Sequence, residues 1–225
     1  MFAVGPKSTA KNTIFFMRYP VFYVALCCMA IASCNQNDSL PLYGPKTAVE
    51  VIKNGVKTVD SIDYSIPNFQ FTDQDGKPVD SNTISGKIFV ADFFFTSCPS
   101  ICPKMMKEMD GVYEKYKSNK DVVILSYSID PVRDSVARLK KYEKKIGFES
   151  SKWHLLTGNK DSIYSLADKY LVSAAQDPDA PGGFIHSGNF ILIDKHRRIR
   201  GYYDGTKEDK VQKLMDDIDI LLKEK

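Results

Sequence analysis

Residues 87–106, Lys87-Ile-Phe-Val-Ala-Asp-Phe-Phe-Phe-Thr-Ser-Cys-Pro-Ser-Ile-Cys-Pro-Lys-Met-Met106, hold a strand, a turn and the start of a helix in one short run. Lys87 to Phe95 is almost continuously apolar, the pattern of a strand buried on both faces of a sheet. Past the turn, Met105, Met106, Met109, Val112, Tyr113 and Tyr116 recur at steps of three and four, which describes one face of a helix. Cys98 and Cys102 therefore stand where a buried strand ends and a helix begins. In an open α/β sheet that is where ligands bind, outside the carboxyl ends of the strands.

The pattern repeats downstream. Val122 to Ile129 reads as a second buried strand, followed by Asp130-Pro131, and Asp134 to Lys145 as a helix with Val136, Leu139 and Tyr142 inward. Trp153 to Thr157 is a short strand and Asp161 to Leu171 another helix. Phe190–Asp194 and Ile199–Tyr203 form a hairpin, and Lys207 to Lys223 closes the chain as an amphipathic helix with Val211, Leu214, Met215, Ile218 and Leu222 on one side. Upstream, Ile66–Thr72 alternates apolar and polar before the turn residues Asp73-Gln-Asp-Gly-Lys77, a hairpin signal. Alternating strands and helices imply parallel pairing with right-handed crossovers. The fold class is α/β: a central mixed sheet flanked by helices, with an N-terminal hairpin and a C-terminal hairpin and helix, the order a thioredoxin-like fold with an inserted element produces.

The chain has 225 residues, enough for one domain and its appendages. Its formal charge of +3 comes from the N-terminus, because residues 1–33 hold Lys7, Lys11 and Arg18 and no acid. The remainder balances 28 basic against 28 acidic residues (31 − 3 = 28), which leaves no footprint for nucleic acid. Val21 to Ser33 is apolar but shorter than the roughly 20 residues of a membrane span, and its basic flank and small terminal residues are the layout of a secretory signal. Ile31-Ala-Ser-Cys34 resembles a bacterial lipobox, which makes Cys34 a lipidation site and 1–33 a removed leader. Met17-Arg18 is the more natural start, with 1–16 an over-extended gene reading. The alternative is a plain N-terminal membrane helix with an incidental cysteine. Either way the domain, residues 61–225, is tethered outside the cytoplasm in the cell envelope, with 35–60 as a flexible tether.

Cys98 and Cys102 are the only cysteines in the domain, so they read as a site and not as a disulfide scaffold. The helix N-terminus favours thiolate over thiol. Three intervening residues place the sulfurs one helical turn apart on the same face, where they can share an ion; soft thiolates select Cu(I), zinc or iron–sulfur, and an added imidazole suits copper or zinc. Of the three histidines, His196 lies in a charged turn and reads as surface, and His154 as a satisfied core or edge residue. His186, in the glycine-flanked loop Gly182-Gly-Phe-Ile-His-Ser-Gly188, is on the residues alone either a ligand or a structural residue. Met105, Met106 and Met109 are core filler at helical spacing, with Met105 or Met106 near the site.

Phe93-Phe-Phe-Thr-Ser-Cys-Pro-Ser-Ile-Cys-Pro-Lys-Met105, Ser128-Ile-Asp-Pro-Val-Arg-Asp134, Leu155-Leu-Thr-Gly158 and Ile185-His-Ser187 resemble, in order and spacing, the Sco (SenC/PrrC) family over about Ile66 to Tyr203. The resemblance implies one copper ion, Cu(I) or Cu(II), held by Cys98, Cys102 and His186. It also implies a role in assembling the copper centre of a respiratory cytochrome oxidase, whose copper-binding subunit or another copper carrier is then the partner. It makes the chain a metallochaperone and not an enzyme. Many members carry an aspartate where this chain has Ile185; such an aspartate would orient the imidazole or tune its basicity, so the departure bears on copper affinity. Asp130 and Asp134 match the family's Asp-Pro motif and read as structural residues or as partners of the ligands, with Asp134 placed to cap the following helix. The rival is a thiol–disulfide oxidoreductase, with Cys98 as nucleophile and Cys102 as resolving thiol in a redox-active pair. Against it stand the three-residue spacer and the lack of a proline directly before the strand at Phe190; Pro181 lies too far upstream. A peroxidase, with Thr96-Ser97-Cys98 supplying part of the needed support, ranks third, and Cys2His also suits zinc.

Overall fold

The structure, a computed structural model, describes residues 39–224; the expected leader and Cys34 lie outside them. In chain order, β1 (Thr47–Lys53) and β2 (Val56–Ile62) form one hairpin, and β3 (Gln70–Thr72) and β4 (Pro78–Asp80) a second. Then come β5 (Ile88–Phe94), α1 (Cys102–Tyr116), β6 (Val122–Ser128), α2 (Val136–Ile146), β7 (Trp153–Leu156) and α3 (Lys160–Lys169). The short antiparallel pair β8 (Ala174–Gln176) and β9 (Phe184–His186) precedes β10 (Asn189–Ile193), β11 (Ile199–Asp204) and α4 (Glu208–Lys223).

The central sheet has the order β11-β10-β5-β6-β7. β5, β6 and β7 run parallel, while β10 pairs antiparallel to both β5 and β11, so the sheet is mixed. All seven residues of β5 and of β6 are buried, which is why both read as unbroken apolar runs. On one face Phe93 stacks on Tyr127 at 5.3 Å, and Tyr127 meets Tyr170 through their hydroxyls at 3.1 Å. On the other face Trp153 stacks on Phe148 at 4.3 Å and Phe94 meets Tyr142 of α2 at 5.9 Å. Each of these rings except the partly buried Tyr142 contributes about 1.5–3 kcal/mol of apolar burial, so the core grips both flanks of the strand that leads into Cys98.

Three sequence expectations change. The stretch 35–60 is not a featureless tether, because β1 and β2 pair from Thr47↔Ile62 to Lys53↔Val56 across Asn54-Gly55, both at positive φ (52° and 76°). That dipeptide is the preferred loop of a two-residue hairpin. Upstream of it, Tyr43 bridges to Ile199, and the nearly buried Arg200 donates to the carbonyls of Leu40 and Pro41 while pairing with Asp194 and Glu224. Second, Asp134 does not cap α2: Ser135 does, accepting from the Arg138 N–H, and Gly147 at φ 97° ends the helix. Third, α4 buries Val211, Leu214, Ile218 and Leu221, with Met215 and Leu222 at the margin of that face.

Candidate metal centre

Cys98 and Cys102 lie on the turn from β5 into α1. Pro103 in the first helical turn suits a position whose N–H would have no partner in the helix. α1 has no side-chain cap from its own N-cap residue, Ile101. Burial works to raise the Cys98 thiol, but hydrogen bonds from the Cys102 thiol and from the Ser100 and Cys102 backbone outweigh it and hold Cys98 below its ordinary value. The Cys98 sulfur thus sits where the helix has donors to offer an anion. Cys102 is pushed strongly the other way, first by burial and then by the neighbouring Cys98 and the charge of Asp92. Cys98 is 8 % exposed and Cys102 1 %, so the more acidic sulfur is also the more accessible. Met105 and Met106, one turn beyond Cys102, are buried beside it as core residues.

His186 arrives from β9, which pairs with β8 from Ala174↔His186 to Gln176↔Phe184. Its Nδ1 donates to the Ser187 carbonyl at 3.2 Å, which leaves the lone pair on Nε2, 3.4 Å from Cys102 Sγ. The Ser187 carbonyl therefore fixes the tautomer that an aspartate before the histidine would otherwise fix. Ile185, on the alternate face of the strand, is exposed. Burial lowers the His186 pKa, against the raising effect of the Ser187 and Phe93 carbonyls, so the ring stays neutral. Phe95 backs the imidazole edge-on at 5.8 Å.

The ligand atoms of Cys98, Cys102 and His186 all lie within 4.8 Å of one another, the single such group of three among the described residues. Metal–ligand bonds of about 2.0–2.3 Å around a three-coordinate ion put the ligand atoms about 4 Å apart, so closing on an ion takes less than an ångström of adjustment. Both cysteines are free thiols. Two thiolates and a neutral imidazole form a soft donor set with room for a further ligand.

Asp134 and Asp130 part company. Asp134, fully buried, accepts from the Thr96 N–H at 3.0 Å, the Thr96 hydroxyl at 2.5 Å and the Ser128 hydroxyl at 2.6 Å, and pairs with Arg138 at 3.3 Å. It ties the start of the cysteine turn to β6. Asp130 pairs with Arg133 at 3.3 Å, and burial raises its pKa; no hydrogen bond or ion pair joins it to the three ligands. His154 bonds Asp73 at 3.1 Å and His196 is exposed, as expected of both. Sequence reasoning passed over Arg138 and Ser187 and weighed Thr96 only for a peroxidase; their parts here depend on contacts distant in the chain or on a backbone carbonyl. It also passed over Asp92, although a lone acid inside an apolar strand was a visible signal.

A 3-10 turn, Pro181–Gly183, packs over the site. Gly182 has φ 79°, and a Cβ there would lie 2.8 Å from the Phe95 ring and 3.1 Å from Pro99 Cδ. Gly182→Ala is expected to cost about 1–3 kcal/mol and, by shifting Phe95 and the turn that holds Cys98, to weaken metal binding roughly tenfold. Urea unfolding and metal competition check it; an unchanged affinity would mean that this turn does not position the cysteines.

Comparison with known proteins gives a consistent picture. The family model described as SCO1/SenC matches residues 60–223. A SCO1/SenC family lipoprotein from Bacillus anthracis is 32 % identical, with a TM-score of 0.66 over 71 % of this chain and 96 % of that one. BsSco, a member of the Sco family of cytochrome c oxidase assembly proteins in which a disulfide switch was identified, is 30 % identical, with a TM-score of 0.64 over 72 % and 95 %. Arabidopsis thaliana ScoI with copper bound is 30 % identical, with a TM-score of 0.58 over 69 % and 97 %.

Proposed function

This chain belongs to the SCO1/SenC family, and we propose that it binds one copper ion through Cys98, Cys102 and His186 and delivers it to the copper centre of a respiratory cytochrome oxidase. The observation that carries the reading is the convergence of two sulfurs and one imidazole within 4.8 Å, in a chain similar to a ScoI solved with copper bound. Copper is cargo here. Cu(I) suits a soft site of few ligands, and Cu(II) would take the same three residues with an added oxygen donor. Transfer is ligand exchange: a partner thiolate adds at the open position, shares the ion and draws it away, with no protein group acting as acid or base. The partner is the oxidase subunit that holds the copper centre, or another copper carrier.

We place the domain in the cell envelope, anchored by a lipid on Cys34. Support comes from the leader-like residues 17–33 and from the likeness to a lipoprotein.

Anaerobic titration of the reduced protein from Asn35 onward is expected to load one Cu(I) per chain. Cys98→Ala, Cys102→Ala and His186→Ala should each weaken binding by more than the roughly 10–100-fold cost of disturbing a residue behind the ligands, read by competition with a Cu(I) chelator. Binding indifferent to His186 would overturn the ligand set.

A second reading has its own observation: Cys98 is held toward thiolate while Cys102 is kept as thiol, the asymmetry of a nucleophile and its resolving partner. As a reductant, Cys98 would attack a disulfide of the copper centre, and Cys102 would then displace the mixed disulfide, leaving the target as two thiols and Cys98–Cys102 oxidised. Disulfide reduction by the apo protein without tight copper binding would favour this reading.

A further inference from the structure

Large apolar side chains that remain exposed gather at two poles. Leu171 and Ile185 line one cleft with His186, and Val132 lines another with Gly182 and Phe184, so these three lie at the metal-centre end. The other six of the nine among the described residues, Leu42, Tyr43, Ile52, Val56, Val59 and Ile62, lie in residues 42–62.

That second pole is opposite the first. Ile193 pairs with Phe89 at the start of β5, whereas Cys98 follows its end. Six residues of strand at about 3.3 Å each put roughly 20 Å between them. The stem of the β1–β2 hairpin is fastened at the far end: Tyr43 to Ile199, Ile66 N–H to the Arg197 carbonyl at 2.8 Å, and Arg198 to Asp63 at 3.9 Å. The hairpin pairs only with itself. An isolated two-stranded hairpin is marginal in water, yet this one exposes Ile52, Val56, Val59 and Ile62 to between 58 and 75 %. By register, Ile52 and Val59 share one face, and Val56 and Ile62 the other. A flat protein partner covers one face of a ribbon; a lipid headgroup layer surrounds both.

We propose that the β1–β2 hairpin is a second docking surface, seated in the headgroup layer of the bilayer that anchors the chain, with the metal centre held at the opposite pole. The proposal rests on the reading of Cys34 as the lipid anchor. Five residues separate Cys34 from Leu40, which is fixed by Arg200, and fully extended the six steps between the two span about 20 Å. The apolar ribbon therefore lies within reach of the bilayer. Glu50 and Lys57 on the ribbon pair with each other at 3.6 Å, which lowers the cost of bringing both to the lipid surface. The copper site then faces away from the membrane and serves an acceptor whose ligands stand above the bilayer.

The test uses the full, processed chain in phosphatidylethanolamine–phosphatidylglycerol vesicles containing brominated acyl chains, with a tryptophan placed at Val59 or at Val132. The native Trp153 is fully buried and serves as background. The expected result is flotation with the vesicles, Val59→Trp emission quenched about twofold or more, and Val132→Trp emission unchanged. Flotation with Val59→Trp unquenched, or with both positions quenched, overturns the docking while leaving the anchor in place. In that case a chemical cross-link between two copies through the hairpin would assign it to a second chain instead. Failure to float overturns the anchor, and the docking with it.

Discussion

Asp134→Ala is expected to destabilise the fold by about 3–5 kcal/mol, the cost of removing one partner from a buried ionic network. The carboxylate is fully buried and serves four donors: the Thr96 N–H, the Thr96 and Ser128 hydroxyls, and the Arg138 guanidinium. Truncation leaves the Thr96 N–H and the Ser128 hydroxyl without it, each costing about 1–3 kcal/mol when buried and unpaired, while Arg138 keeps its bond to the Thr96 hydroxyl at 2.6 Å. Thr96 is two residues before Cys98, so the variant also loosens the turn that presents the more acidic sulfur. Urea unfolding reads the first effect. Copper competition under conditions where the variant is still folded reads the second, expected as a loss of roughly 10–100-fold. Asp134→Asn, which retains one accepting oxygen, should recover part of both. A helix cap would behave differently, costing about 1 kcal/mol and leaving copper affinity unchanged.

That contrast shows where the sequence stops speaking. Asp134 stands just before a helical run, and position alone makes it a cap; Ser135, the next residue, takes that part because the Asp134 carboxylate is already claimed by Thr96 and Ser128. Contacts between residues 96 and 134 leave no periodic trace. What is legible is what repeats or clusters: the apolar runs of β5 and β6, the helical steps of α1, and the Cys98/Cys102 spacing at a strand end. His186 could be placed beside them only through resemblance to a family, because a loop between two short strands has no pattern that fixes its direction. The β1–β2 hairpin is a different case. Asn54-Gly55 between β-branched residues is a local signal with a local cause, and it was hidden only by the expectation that a polar stretch behind a leader is a tether.

Asp92→Asn is expected to be less stable than the parent chain in acid and as stable or more so above neutral pH. Asp92 is fully buried in β5; Ser126 donates to one carboxylate oxygen, Trp153 Nε1 donates to Ser126 at 2.8 Å, and the other carboxylate oxygen has no hydrogen-bond partner. Burial, opposed only by the Ser126 bond, raises its pKa to about 7, against about 3.9 unfolded. Between these values the folded chain holds a proton that the unfolded chain has lost, so the stabilisation is fully present below about pH 4 and falls as pH rises through about 7. Three pH units correspond to about 4 kcal/mol. Asparagine is neutral throughout and keeps an oxygen for Ser126, but its amide places two donors where the carboxylate has a bare oxygen, at about 1–3 kcal/mol. The variant should therefore be the less stable chain at pH 4 and the equal or more stable one at pH 8. Urea unfolding of both proteins across that range reads the crossing, and every other titrating group cancels in the difference. Two curves a constant distance apart would mean that Asp92 is ionised throughout, with water or an ion at its open oxygen. The same charge helps hold Cys102 as a thiol, so the asparagine variant should also give up the Cys102 proton at lower pH. A strand acid that weakens the fold at neutral pH thus adds, behind burial and Cys98, to what keeps the second sulfur a thiol.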